Sequence, residues 1–375
     1  MSPAPVAPAR PQHRLARRLL GSPLLEALTT PHGVDRYVEL VRPAFSLRDV
    51  RAEVVAVRQA TDRSVTLTLR PNANWQGFRA GQFVRLSIEI DGVRHTRCYS
   101  PASSAHTSDL LELTAHAQPG GQVSPFLRER ARPGMVVSLS AAEGDFVLPD
   151  ERPHALLLIS GGSGITPVMS ILRTLCEEGH EGPIGFLHYA RDEHDLVYAD
   201  ELRALAARHP NVRVLHGYTR AARGGELTGR FAPQHVRAAG IDPAEAQTFA
   251  CGPTALLDGV RTTWAEHGLE ERLHVEQFVL PLPAVANPGD PATGSVQFAR
   301  SGRATPNSGD TLLDQAEAAG LTPQSGCRMG ICHTCSCRKV AGSVRDVRTG
   351  EVSDAPDELI QICVNVPVGD VTLDI

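Results

Sequence analysis

The chain has 375 residues, of which 42% are hydrophobic and 21% are charged, and its formal net charge is −5. This length is too great for one ordinary core and predicts two or three domains, while the balanced composition excludes a largely disordered chain. The modest acidic charge gives no reason to expect a nucleic acid partner, and no apolar run approaches the roughly 18 residues that a membrane-spanning helix needs.

Residues 1–50 form a lead-in segment that is rich in proline and arginine. Its first twenty residues lack the uninterrupted apolar core of a secretory signal. We therefore expect a cytoplasmic protein without a membrane span, which would meet a membrane only through its partner.

Short β-rich runs extend from RAEVVAVR (51–58) to DFVL (145–148), and turn-forming residues separate them. Runs such as VTLTLR and QFVRLSIEI show the alternation or β-branched enrichment that is typical of strands. We predict an antiparallel barrel or sandwich over residues 51–150.

From residue 154 the pattern changes to an apolar strand, a turn and a helix, and it repeats through ALLLIS, IGFLHYA, VRVLHGYT, QTFACGP and LHVEQF. This alternation predicts an α/β domain with a parallel sheet over residues 151–279. Residues 280–294 contain four prolines without periodicity and are interpreted as a linker. A small α/β unit occupies residues 295–375.

The last unit contains a cysteine pattern that indicates a metal site. Cys327, Cys332 and Cys335 have the spacing Cys-x4-Cys-x2-Cys, and Cys363 follows. This spacing is that of plant-type [2Fe-2S] clusters. Structural zinc is the alternative, although zinc sites often use two short Cys-x2-Cys pairs and only one is present. We interpret Cys337, a fifth thiol, as a small buried apolar residue rather than a ligand.

Two segments of the β-rich domain have features that suit a flavin. In RCYS (97–100) an arginine can pair with a phosphate, a tyrosine ring can pack on the isoalloxazine, and a serine can donate a hydrogen bond. In GGQVSPFL (120–127) glycines precede a helix whose N-terminus favours anions. Each segment alone is weak evidence, and the candidates are Arg97, Tyr99, Ser100, Gly120, Gly121, Gln122, Val123 and Ser124.

Two glycine-containing turns mark the nucleotide domain. GGSGITP (161–167) connects a strand to a helix, although Pro167 stands where the dinucleotide fingerprint has its third glycine. ACGPTALL (250–257) ends another strand at the edge where open α/β sheets bind ligands. Arginines after two strands suit a 2′-phosphate, so the nucleotide candidates are Gly161, Gly162, Gly164, Thr166, Arg191, Arg220, Gly252 and Pro253.

These motifs carry a family resemblance. The segment CRMGICHTC (327–335) resembles the plant-type ferredoxins, which implies a β-grasp (α+β) fold, a one-electron carrier, and ligation by Cys327, Cys332, Cys335 and Cys363. The flavin and nucleotide segments together resemble the ferredoxin-NADP reductase family. That resemblance implies an antiparallel β-barrel that binds FAD, with FMN as the alternative, and a domain that binds NADPH, with NADH as the alternative.

The same resemblance assigns two catalytic candidates. It implies that Cys251 lies beside the nicotinamide and that Glu276 lies near the flavin ring. The alternatives are a structural buried thiol for Cys251 and an exposed carboxylate at a strand end for Glu276.

Over residues 51–375 the chain is most similar to reductases that end in a ferredoxin domain, like the reductase components of phenylacetyl-CoA epoxidases and acyl-CoA desaturases. RMGICHTCSCRKV, GDVTLDI and the lead-in stretch VDRYVELVRPAFSLRDVRAEV resemble actinobacterial reductases that feed a membrane-bound fatty acyl desaturase. The resemblance implies electron transfer from NADPH to FAD, to [2Fe-2S] and to an external iron-dependent desaturase. An alkane or aromatic-ring oxygenase is the alternative acceptor, and a redox-sensing module is the alternative of another class.

Overall fold

The computed structural model describes residues 33–38, 41–107, 109–220, 224–278, 293–326, 328, 330 and 333–375. The chain divides into two compact units, and the boundary falls between Gln277 and Phe278. The predicted linker at 280–294 lies outside the described residues except for its last two. No helix among these described ranges combines the length and apolarity needed to cross a bilayer.

The first unit begins with a six-stranded antiparallel sheet in the order β4-β3-β6-β1-β2-β5. Its elements are β1 (Val50–Thr61), β2 (Ser64–Pro71), β3 (Val84–Ile90), β4 (Val93–Tyr99), β5 (Leu111–His116) and β6 (Val136–Leu139). The two ends of the sheet meet where Pro101 bridges Leu113 and the amide of Ala102 donates to the carbonyl of Glu112 at 2.8 Å. The predicted antiparallel barrel is therefore confirmed.

The barrel encloses the apolar positions of the alternating runs. Val65, Leu67 and Leu69 of β2 are at most 1% exposed and belong to one core cluster. Helix α2, which covers this core, begins at Val123 and ends at Arg130. Within the lead-in, helix α1 (Gly33–Val38) is described, and residues 43–49 are bonded to the barrel through Arg51, Asn72 and Asn74.

A six-stranded parallel sheet follows in the order β10-β9-β8-β7-β11-β12. Its strands are β7 (Ala155–Gly161), β8 (Ile184–Ala190), β9 (Val212–Tyr218), β10 (Leu227–Thr228), β11 (Ala246–Cys251) and β12 (Leu273–Glu276), and its helices are α3 (Ile165–Glu177), α4 (Ala199–Arg208), α5 (Pro233–Ala238) and α6 (Thr254–Glu266). Every residue of β7 and β8 is buried, as expected for strands covered on both faces. The strand order reverses between β7 and β11, which confirms the α/β prediction and creates a topological switch point.

The second unit is a mixed sheet in the order β14-β13-β18-β15-β16, with β17 paired to β15. Its elements are β13 (Ser295–Phe298), β14 (Arg303–Pro306), α7 (Leu312–Ala318), β15 (Ser336–Asp346), β16 (Val352–Ser353), β17 (Glu358–Gln361) and β18 (Asn365–Leu373). Only β13 and β18 pair in parallel among the described strands of this sheet. Leu312, Leu313 and Ala316 of α7 pack on the sheet core, which gives the predicted β-grasp arrangement.

Within the first unit, Arg173 of α3 joins the parallel-sheet domain to the barrel. Its Nη1 donates to the Ala102 carbonyl at 2.7 Å and to the Glu112 carboxylate at 2.8 Å, while Nε and Nη2 bind both oxygens of Glu201. Its guanidinium carbon also lies 4.9 Å from the centre of the Tyr198 ring. Because the Arg173 side chain is only 15% exposed, these interactions form away from bulk water.

We expect Arg173→Met to lower the free energy of unfolding by about 3 kcal/mol, because it leaves two partly buried carboxylates without their cation. The matched control is Arg203→Met, whose ion pair with Asp200 is 75% and 97% exposed and should contribute little. Urea unfolding followed by tryptophan fluorescence measures both, since Trp75 and Trp264 lie in this unit. Equal midpoints for the two variants would contradict the role of Arg173.

Candidate active site and metal centre

Two glycine-containing loops touch at the switch point. A side chain at Gly252 would place its Cβ 3.0 Å from the amide nitrogen of Gly161, and a Cβ at Gly164 would lie 2.2 Å from the carbonyl oxygen of Cys251. A Cβ at Gly161 would also collide with Pro253 at 2.9 Å. The structure thus brings together five predicted residues, which we call the glycine cradle: Gly161, Gly164, Cys251, Gly252 and Pro253. The two loops can approach this closely only because three of these residues lack a side chain.

Helix α3 begins directly after Gly164 of this cradle. Gly162 has a φ of +54°, and the chain turns there into a helix that starts at Ile165. The Thr166 hydroxyl donates to the Ser163 carbonyl at 3.2 Å, which fixes the turn. The Ile165 amide already donates to the Gly162 carbonyl and Pro167 has no amide, so a dinucleotide pyrophosphate could bind only at the turn that precedes Ile165, at the carboxyl edge of the sheet.

Three predicted residues meet beside the cradle. Cys251 and Glu276 are register partners at the ends of β11 and β12, and Ser100 approaches from the end of the barrel strand β4. Burial raises the pKa of Glu276 to about 8, and the neighbouring Ser100 hydroxyl moderates this rise without completing a hydrogen bond. Burial, and to a lesser degree the charge of Glu276, holds the pKa of the Cys251 thiol well above its ordinary value. Glu276 is thus a half-buried carboxylate at a strand end with a buried Oε2, rather than the exposed carboxylate of the alternative.

Two polar atoms at this place have no partner. Ser100 Oγ and Glu276 Oε2 are both buried, and neither finds a hydrogen-bond partner among the residues that the structure describes. Unpaired buried polar atoms are unfavourable, and native proteins keep few of them. A polar ring edge of a flavin would satisfy both atoms, so the donor set fits that group.

The remaining flavin candidates lie in β4 and at the start of α2. Tyr99 packs against the core cluster that also contains Val123, and burial raises the pKa of the Tyr99 phenol. Val123 is 1% exposed, so its side chain is structural and only its amide could face a phosphate. Gln122 is the N-cap residue of α2 and makes no side-chain cap hydrogen bond. Arg97 donates from Nη1 to the Thr96 carbonyl at 2.7 Å.

The segment before α2 is a tight turn. Gly120 has a φ of +75°, and the amide of Gly121 donates to the Gln118 carbonyl at 3.0 Å. The Ser124 hydroxyl accepts from the Gln118 amide at 3.1 Å. This bond leaves the Ser124 proton available to an anion at the start of the helix.

Arg191 and Arg220 follow neighbouring strands and lie next to each other. Ala190 and Tyr218 are register partners, and the amide of Arg220 donates to the Arg191 carbonyl at 2.9 Å. Arg220 is exposed, whereas Arg191 Nε lies 3.7 Å from Asp195 Oδ2. Of the two arginines, Arg191 has a carboxylate nearby that partly compensates its charge, so Arg220 is better able to bind a nucleotide phosphate.

Cys335 and Cys363 form half of the predicted metal centre. Each is 3% exposed, and their sulfur atoms are 3.1 Å apart, close enough for both to bind one iron. Cys327 and Cys332 lie outside the described residues. Cys337 is half-buried in β15, where burial raises the pKa of its thiol, and it packs against the core as a small apolar residue.

The described residues of the cysteine loop show a tightly turned backbone. Arg328, Gly330 and His333 all have positive φ values, of 59°, 72° and 53°. The Gly330 carbonyl accepts hydrogen bonds from Arg348 Nη1 and from Gln361 Nε2, both at 2.8 Å. These two anchors were missed from the sequence, although the position of Gln361 two residues before Cys363 is a signal that could have suggested one of them.

Sequence reasoning also missed the aromatic contact between the two domains of the first unit. Phe146, from the segment that closes the barrel, meets Phe249 of β11 edge to face with ring centres 5.5 Å apart. Phe249 in turn stacks on His274 of β12 at 4.6 Å. The sequence placed DFVL (145–148) at the end of the β-rich runs, but the partner of Phe146 could not be found without the fold.

Three family models match the chain in succession. They are an oxidoreductase FAD-binding domain at residues 54–148, an oxidoreductase NAD-binding domain at residues 158–262, and a 2Fe-2S iron-sulfur cluster binding domain at residues 297–367. The third match supports the iron-sulfur interpretation of the cysteines over structural zinc.

The chain is also similar to whole proteins over most of their length. The chain is 38% identical over 355 residues to an NADPH oxidoreductase of Mycobacterium tuberculosis, covering 93% of this chain and 90% of that protein. It is 32% identical to the glycine betaine monooxygenase reductase subunit of Pseudomonas aeruginosa, covering 79% and 87%. The solved structure of phthalate dioxygenase reductase superposes with a TM-score of 0.63 at 21% identity, covering 87% of this chain and 98% of that one, and supports the fold alone.

We expect Cys363→Ser to lose the cluster, because a hydroxyl is a poor ligand for an iron site that prefers thiolate. Cys337→Ser is the matched control, since it removes a nearby thiol from the same core without removing a predicted ligand. Iron and labile sulfide analysis, together with the visible absorption of anaerobically purified protein, measures the outcome. Full cluster content in Cys363→Ser, or its loss in Cys337→Ser, would contradict the ligand set.

Proposed function

Because the chain belongs to the ferredoxin reductase-type flavin oxidoreductases with a C-terminal [2Fe-2S] ferredoxin domain, we propose that it transfers electrons from NADPH, through FAD and the cluster, to an external iron-dependent enzyme. The main support for this proposal is that Ser100 of the barrel lies near Cys251 and Glu276 of the parallel sheet, beside the glycine cradle. A flavin ring held by the barrel would there be next to a nicotinamide held by the parallel-sheet domain. Bound FAD supplies the conversion of a hydride into single electrons, which a one-electron cluster requires.

The chain's own residues orient and shield the reacting groups. Gly161, Gly164 and Gly252 let the two loops that would border the nucleotide pack directly against each other, and the N-terminus of α3 favours its pyrophosphate. Cys251, which is fully buried, excludes water from the nicotinamide position. Glu276 is neutral below a pH of about 8, the value to which burial raises its pKa, so it can both donate and accept a hydrogen bond at the flavin edge.

NADPH is the proposed donor. Arg220 is exposed at the carboxyl end of β9, beside Arg191 at the end of β8, where a 2′-phosphate would lie. A guanidinium suits that phosphate by charge and by its paired donors. The Mycobacterium tuberculosis relative is named an NADPH oxidoreductase, which supports the same choice.

A membrane-bound fatty acyl desaturase is the proposed acceptor. Its support is the resemblance of the lead-in, the cysteine loop and the final strand to reductases that feed such desaturases. The similarity to the Mycobacterium tuberculosis protein covers 93% of the chain and so extends into residues 1–50. The similarity to the monooxygenase reductases covers only 78% or 79%.

A monooxygenase is the second candidate acceptor. Relatives that are 31% and 32% identical are named as reductase components of a 3-ketosteroid-9-alpha-monooxygenase and a glycine betaine monooxygenase. Each name describes the reductase component of an oxygenase, which supplies electrons to a catalytic reaction. These names therefore favour an iron-dependent oxygenase as the acceptor over a redox-sensing module.

We expect Arg220→Gln to raise the KM for NADPH roughly tenfold, because a hydrogen bond to a charged group contributes about 1.5 kcal/mol. The KM for NADH should change little, since NADH lacks the 2′-phosphate. Steady-state ferricyanide reduction measures both constants, with the exposed Arg237→Gln of α5 as the matched control. An equal rise for the two nucleotides would contradict the assignment of Arg220.

Reconstitution tests the acceptor. The purified reductase, NADPH and membranes that contain an acyl desaturase should yield unsaturated acyl product, measured by mass spectrometry, and Cys363→Ser should yield none. A desaturase that works with another reductase but not with this one would remove the desaturase proposal. Product from a paired monooxygenase in the same assay would then favour the second candidate.

A further inference from the structure

The side chain of Arg348 packs directly against the cysteine loop of the second unit. Its Nη1 donates to the carbonyl of Gly330 at 2.8 Å, and Gly330 stands between the first two predicted ligand cysteines in the sequence. A Cβ added at Gly330 would lie 2.5 Å from Arg348 Nη1 and 2.8 Å from Val364 Cγ1. The guanidinium and the residue that follows the predicted ligand Cys363 therefore meet at the same glycine.

The opposite edge of the Arg348 guanidinium is held by one carboxylate. Nε donates to Asp346 Oδ1 at 3.0 Å, and Nη2 donates to Asp346 Oδ2 at 2.6 Å. Pairing at two points fixes the orientation of a guanidinium as well as its place. Because Nε and Nη2 form one edge of the group, Nη1 is the nitrogen that faces Gly330. The ion pair is therefore oriented, with its positive end toward the cysteine loop and its negative end away from it.

Anchoring the loop does not by itself require a cation at this place. Gln361, which is 8% exposed, also donates to the Gly330 carbonyl, from Nε2 at 2.8 Å. A carbonyl oxygen has two acceptor positions, and one neutral donor already satisfies it. The second donor is a charged side chain that is only 34% exposed. A purely structural role therefore accounts for a hydrogen bond to Gly330 but leaves the charge of Arg348 without a purpose.

The charge has a purpose if the loop holds an iron-sulfur cluster. Reduction adds one electron, and hence one negative charge, to such a centre. Net charge, hydrogen bonds to the sulfurs and solvent exposure set its reduction potential, and partly buried charges are screened less than exposed ones. We propose that Arg348 is a positioning residue that acts through Gly330 to raise the reduction potential of the cluster, while Asp346 limits this rise. The inference rests on the cysteine ligands of the proposed function above.

Arg348→Gln removes the charge from the loop. The equilibrium constant for cluster reduction should fall about tenfold, the order expected for one charge near a protein surface. For one electron this is a shift of about 59 mV to lower potential. A dye-mediated redox titration of the full-length protein under anaerobic conditions, followed by visible absorption and electron paramagnetic resonance, measures the shift.

Asp346→Asn tests the orientation of the ion pair. It removes the carboxylate and leaves Arg348 in place, so the equilibrium constant for reduction should rise, by up to about tenfold. A merely structural role of the pair would not move the potential in opposite directions in the two variants. If Arg348→Gln assembles no cluster, as iron and labile sulfide analysis would show, the sign of the shift in Asp346→Asn decides.

Arg303→Gln is the matched control. The Arg303 side chain also donates from Nη1 to a backbone carbonyl of this unit, but that carbonyl belongs to Ala319 at the end of α7, 2.6 Å away. This variant should keep the wild-type potential. Equal potentials in Arg348→Gln and Arg303→Gln, or a shift of Asp346→Asn to lower potential, would overturn the proposal.

Failure of the proposed function would look different. The titration uses dithionite as the reductant, so it measures the cluster potential whether or not NADPH reduces the protein. If dithionite produces no signal of a reduced [2Fe-2S] centre in the wild type, the proposed function itself fails. If the wild type gives that signal and the variants keep its potential, only the role of Arg348 is disproved.

Discussion

The attachment of the barrel to helix α3 is the constraint on which the rest of the first unit depends. The stretch that follows Ser100 is bonded along one side of this helix: Arg173 donates to the Ala102 carbonyl, Ser170 to the Ser103 carbonyl at 2.8 Å, and Thr174 accepts from the Ala105 amide at 3.0 Å. The N-terminus of the same helix lies directly after Gly164 of the glycine cradle. One helix therefore fixes the stretch after Ser100 relative to the glycine cradle, and in the proposed function a small change in that spacing would disturb hydride transfer.

Burial gives the site its chemical character. At the end of the sheet a carboxyl, a thiol and a hydroxyl lie close together, and burial is the main cause of the raised pKa values of Glu276 and Cys251. In the proposed function, a neutral Glu276 would spare the flavin edge a fixed negative charge. The basic side chain of Arg220 lies instead at exposed strand ends, where a nucleotide phosphate can reach it without desolvating a buried cation.

The sequence predicted those features that depend on local backbone demands or on fixed spacing. The glycines at 161, 164 and 252 signalled a close approach, and the spacing of Cys335 and its partners signalled iron-sulfur ligation, so all three domain folds were predicted correctly. What could not be predicted depends on strand register and on contacts between domains. Nothing local shows that Glu276 lies in register with Cys251 and beside Ser100, or that Arg173 binds Glu112 of the barrel.

Rapid-scanning absorbance after anaerobic mixing with stoichiometric NADPH shows whether one chain passes electrons from NADPH through its flavin to its own cluster. Flavin absorbance should bleach first, cluster absorbance should then fall, and samples frozen at that stage should give the electron paramagnetic resonance signal of a reduced [2Fe-2S] centre. A flavin that is reduced while the cluster stays oxidised, or a chain in which NADPH bleaches neither group, would contradict this electron path.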